Sequence, residues 1–150
     1  PQHYSQWLSM REQGDFNLLL TFGEFLENWV QATDIAPQAT IDNYHTELST
    51  FAQAEAQVHR NLYNNGFDYY QDIVTSYVVG GGPDEENLRT TYDFLSELEI
   101  WPRNLDLTED SVDFMLDVVD SIGLTEERVP TDEVMDRTII ESALDEVGRV

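Results

Sequence analysis

The chain has 150 residues, with 41% hydrophobic and 25% charged residues, proportions that suit a folded domain with a real core and not a disordered tract. Thirty acidic residues against seven basic ones give a formal net charge of -23, and with no basic cluster to neutralise phosphates this excludes nucleic-acid binding. Cysteine is absent, which excludes disulfides and thiolate metal sites, and no apolar run approaches the length of a membrane span.

In chain order, Tyr4 to Gln13 reads as a short helix, with Tyr4, Trp7, Leu8 and Arg11 on one side and Gly14 as its stop. The compact apolar run from Asp15 through Phe16, Leu18, Leu19, Leu20 and Phe22 to Gly23 reads as a buried strand. Trp29 to Thr33 reads as a second, shorter strand, and Asp34 to Ala39 as a connection holding Pro37. From Thr40 the period changes. Ile41, Tyr44, Leu48, Phe51, Val58 and Leu62 recur at helical steps, with Thr40 as the expected N-cap and Gly66 as the end. Ala52, Ala54 and Ala56 support this helix by propensity.

Four more helices are expected. One runs from about Phe67 to Val79 and stops at Gly80-Gly81-Gly82-Pro83. The next starts at Asp84-Glu85-Glu86, whose acids suit a helix N-terminus, and buries Leu88, Tyr92, Leu95 and Leu98. Another follows Thr108, with Glu109 and Asp110 in its first turn and Val112, Met115, Val119 and Ile122 on its buried face before Gly123. The last spans Thr138 to Val147, behind a short turn at Thr131 to Met135. The fold class is therefore mainly α with one or two short β-strands. A lone strand leaves its backbone groups unpaired, so its partner strands are expected in chain preceding Pro1.

All seven basic residues are arginine, and there is no lysine. Self-repulsion at this charge destabilises a folded chain in dilute buffer, and molar salt, with a Debye length of about 3 Å, removes most of that repulsion. The composition therefore fits permanently high salt, as in a halophilic archaeon.

Motifs that carry chemistry are sparse. His3, His45 and His59 form no HExxH pattern, and His45 and His59 lie roughly four helical turns apart, too far to share an ion. Asp106, Thr108 and Asp110 superficially match a calcium loop, but Ser111 and Asp117 stand where glycine and glutamate are needed, so a capped helix start is the better reading. No GxSxG elbow occurs, and the Gly80 to Gly82 run lacks the lysine of a phosphate loop and is followed by acids. Trp7, Trp29 and Trp101 read as packing anchors before ligand contacts. No metal, cofactor or catalytic residue is expected.

The order of segments carries more than any one residue. Gly14 to Gly23 resembles the "G-d-f-n-v-l-l-x-f-g" strand late in the second lobe of ABC-importer solute-binding proteins, in the branch that handles nitrate, sulfonate, taurine and thiamine-precursor pyrimidines. Val30 to Asp34 and the helix holding Phe51-Ala52-Gln53-Ala54-Glu55 are similar to that family's return strand and following helix. Leu107 to Met115, Ile122-Gly123-Leu124, Val129 to Asp136 and Ile139 to Gly148 resemble its closing stretch.

The resemblance implies the C-terminal part of a type II periplasmic-binding-protein-like α/β fold. Residues 1–36 would be the strand-containing end of the second lobe with its crossover, and 37–150 the C-terminal helical region. It implies capture of a small anion, sulfonate or pyrimidine-like ligand without chemistry, and delivery to an ABC permease by closure of a hinge. It also implies an extracytoplasmic location, anchored at the cell surface through a preceding N-terminal region. Thr21, Phe22 and Gly23 at the strand end, with Trp29 just beyond, are the expected ligand-binding residues, since ligands in open sheets sit beyond strand C-termini. Two alternatives stand beside this reading. One is an independent helical interaction domain. The other is a pyrimidine-precursor synthase-like enzyme of the same fold, which would need a histidine and metal constellation.

Overall fold

The computed structural model describes residues 33–77 and 84–150, together with Gly14. The two expected strands and the expected N-terminal helix lie outside the described residues, as does the joint at Gly80 to Pro83. Among the described residues the protein is mainly helical, with 69% in helix and no strand. Seven helices follow one another there: α1 Gln38–Asn43, α2 His45–Asn64, α3 Gly66–Tyr77, α4 Glu85–Glu97, α5 Glu109–Ser121, α6 Thr131–Val134 and α7 Thr138–Val147.

The single helix expected from Thr40 to Gly66 is two. Pro37 begins it earlier than Thr40: its fixed φ of -60° presents a carbonyl that accepts from Thr40 and Ile41 amides at 2.8 and 3.2 Å. Thr40 is therefore inside α1. At Tyr44 the backbone leaves helical geometry, with φ -124° and ψ 27°. Just before it, the Asn43 side chain donates to the Ala39 carbonyl at 2.7 Å, competing for a ladder acceptor. α2 ends at Asn64 as expected, where Gly66, at φ +71°, turns the chain into α3.

The covered face of α2 also differs from the expected one. Tyr44, Phe51 and Val58 are 55%, 60% and 38% exposed, whereas Ser49, Ala52 and Ala56 are buried. Leu62 is buried and Leu48 half-buried as their periodicity predicts, while Ala54 is exposed.

The described residues form two compact units, one holding 58–102 and the other 33–57 with 103–150. The first is built on aromatic packing. Tyr92 stacks on Trp101 with ring centroids 6.0 Å apart, and Tyr70 lies 5.5 Å from Tyr92 and 6.1 Å from Trp101. Tyr63 and Phe67 meet Trp101 and Tyr92 edge-on. The polar ends are satisfied: the Tyr92 hydroxyl donates to the Leu62 carbonyl at 2.8 Å, and the Trp101 amide donates to the Tyr63 hydroxyl at 3.1 Å. Leu62, Phe67 and Leu88 are buried in this unit, and Thr91 joins them. Leu98, expected on the same face, is the C-cap of α4 and is exposed.

In the second unit, Ala52 and Ala56 of α2 meet Ala143 of α7 and Leu105 from the segment before α5, with Ile139, Ile140 and Val147 packed around them. Leu144 of α7 is buried as well. Asn104 fastens the chain's last residue from both sides, its side-chain amide donating to the Val150 carbonyl at 2.7 Å and accepting from the Val150 amide at 3.1 Å. On α5, Val112, Met115 and Val119 are only half-buried and Ile122 is exposed, short of the buried face its periodicity predicts.

Helix starts follow side-chain caps as expected at two places. Asp84 accepts from the Asn87 amide at 3.1 Å, and Thr108 accepts from the Ser111 amide at 3.1 Å. Helix ends rely on backbone closure. After α5, Gly123 at φ +70° lets the Leu124 amide reach the Val119 carbonyl at 3.1 Å. After α4 the same closure is made by Glu99, at φ 48°, with the Ile100 amide on the Leu95 carbonyl at 3.3 Å.

Two predictions test this packing. Ala56→Leu places three extra carbons in the seam and is expected to destabilise the second unit by about 1–3 kcal/mol in urea unfolding, where a neutral effect would contradict a tight seam. Glu99→Gly removes a left-handed non-glycine residue and is expected to stabilise by about 1–2 kcal/mol, while Glu99→Gln, which removes only the charge, leaves most of that gain unrealised.

Candidate functional site

Thr21, Phe22, Gly23 and Trp29, the ligand-binding residues expected from the resemblance, lie outside the described residues. Among the described residues, an open recess lies in the second unit, beside the start of α5. It has a volume of about 420 Å³ and is lined by Glu109, Thr131, Asp132, Met135 and Arg137. Three elements supply it: the first residue of α5, the single turn of α6, and the link from α6 into α7.

A charge cluster holds one wall in place. Asp113 and Asp117 stand one turn apart on α5, and Arg128 spans both, its Nε donating to Asp117 at 2.6 Å and its Nη2 to Asp113 at 2.7 Å. The Thr131 hydroxyl donates to the same oxygen of Asp113. These contacts hold the Asp113 carboxyl below its ordinary value of 3.8, the Thr131 hydroxyl contributing most and Arg128 next. The guanidinium is stabilised in turn, first by Asp117 and then by Asp113.

The opposite wall is tied down by Asp136. Its carboxylate accepts from the Thr138 amide at 2.8 Å and the Thr138 hydroxyl at 2.6 Å, so it caps α7. The Gln38 amide reaches it at 3.4 Å. The Asp136 carboxyl is lowered chiefly by the Thr138 hydroxyl and amide, then by Gln38, with a further pull from His45.

Chemically, the recess is modest. Its hydroxyl is already committed to Asp113, and Arg137 faces Glu141 across 3.7 Å. The side chains left to meet a solute are two carboxylates and a thioether, on a surface open to water. That lining can hold a hydrated cation or a polar solute loosely. It does not bring a nucleophile against a base.

Of the other residues singled out by sequence, His3 and Trp7 lie outside the described residues, while His45, His59, Thr108 and Trp101 have structural partners. His45 Nδ1 lies 3.5 Å from the Ser49 hydroxyl. His59 Nδ1 lies 3.0 Å from the Pro102 carbonyl, and since a carbonyl only accepts, that nitrogen carries the proton. No three His, Asp or Glu side chains among the described residues are grouped to hold a metal ion. Thr108 in the calcium-like stretch is a helix cap, and Trp101 sits in the aromatic packing of the first unit. Among the described residues, no helix is long and apolar enough to cross a membrane.

Sequence reasoning did not single out the Arg128 clasp or the recess beside it. The i,i+4 spacing of Asp113 and Asp117 was a usable signal, because it places two carboxylates on one helix face, where repulsion demands a cation. Which arginine answers it is decided by the loop after Gly123.

The clasp makes a pH prediction. A folded-state value below 3.8 means the native Asp113 binds fewer protons than the unfolded one, so its contribution is complete above that value and is lost as pH falls through the folded value. Amide-exchange protection of residues 124–131 is expected to fall as pH drops below about 4. Arg128→Gln is expected to lack that protection already at neutral pH, and unchanged protection in this variant would remove the clasp from the account.

Comparison of the chain with protein-family models, with curated proteins and with solved structures found no match.

Proposed function

We propose that this chain is the C-terminal portion of an extracytoplasmic solute-binding protein, which captures a small nutrient without changing it chemically and delivers it to the permease of an ABC importer. The observation that carries the reading is the way the chain closes. α7 lays Ala143 on Ala52 and Ala56 of the long α2, and it follows the capped α5, the α6 turn and the Asp136 cap in the order that the resembling segments require. Mainly helical structure from Gln38 onward is what the C-terminal region of a type II periplasmic-binding-protein-like fold calls for.

In this reading the ligand lies against Thr21, Phe22 and Gly23, with Trp29 as an aromatic wall. An oxyanion, a sulfonate or a pyrimidine-like molecule suits such a site. The chain's charge of -23 opposes an anion in dilute buffer and is screened within about 3 Å in molar salt, so capture belongs to a saline exterior.

A second reading, a helical protein-interaction module, is favoured by one observation. Phe51 and Val58 stand seven residues apart on α2, with Tyr44 seven residues before them at the break that precedes it, and all three are exposed, as on a face that another helix covers.

The test is thermal unfolding of the whole protein that carries this chain, in multimolar KCl, with nitrate, taurine, an alkyl sulfonate or an aminopyrimidine added singly. A ligand at a hundred times its Kd stabilises by about 2.7 kcal/mol, which raises Tm by roughly 5–10 °C in a protein of this size or somewhat larger. Trp29→Ala is expected to remove the shift. If no solute moves Tm and Phe51→Glu instead dissolves an assembly, the interaction reading replaces this one.

A further inference from the structure

We draw no further inference here: the strongest candidate, the open apolar stripe of Tyr44, Phe51 and Val58 along α2, is an unpartnered helix face, and nothing in the structure shows what covers it.

Discussion

Thirty carboxylates share this chain with seven arginines, and that imbalance constrains both the surface and the core. Acids are placed where the backbone itself offers positive charge. Asp84, Glu85 and Glu86 surround the start of α4, and Glu109 and Asp110 the start of α5. None of the described helices has a base in its last turn, so their C-terminal carbonyls are closed by backbone geometry at Glu99, Gly123 and Gly148 instead. The arginines act as local neutralisers: Arg128 spans two carboxylates, Arg137 answers Glu141, and Arg89 pairs with Glu85 while lying 3.9 Å above the Phe67 ring. A planar, forked guanidinium can reach two carboxylates at once, which the point charge of an ammonium does less well.

Each exposed pair contributes little by itself, so the fold depends on its packed interior. In the second unit the contact between α2 and α7 is made by alanines, and in the first the packing is aromatic, with the polar ends of Tyr92 and Tyr63 hydrogen-bonded. Alanine burial removes little apolar area per residue. Several large apolar side chains, Phe51, Ile122 and Leu124 among them, stay at the surface.

Local chemistry was the legible part of the sequence. Asp84, Thr108 and the pair of short C-terminal helices could be read because a cap, or a first-turn acid, acts within a few residues. The covered face of α2 could be read from periodicity only in part, at the buried Leu62 and the half-buried Leu48. Tyr44, Phe51 and Val58 carry the helical repeat, but Ala52 and Ala56 face Ala143, which lies far away in the chain. The break at Tyr44 turns on an Asn43 side chain that looks like an ordinary helix surface residue. The recess beside α5 draws on three elements and on a clasp that spans residues 113 to 128, so no local window contains it. The expected ligand residues Thr21, Phe22, Gly23 and Trp29 came from the order of segments and not from any chemistry of their own.

The measurement that tests this account most directly is the urea midpoint of unfolding as a function of KCl, from about 0.1 M to 3 M, over which the Debye length shrinks from about 10 Å to below 3 Å. If charge repulsion is what the fold works against, the midpoint rises steeply over the first molar and continues upward beyond it. A midpoint that stays flat, or that falls as the arginine pairs are screened, would mean that those pairs outweigh the repulsion and that the acidic surface is not an adaptation to salt.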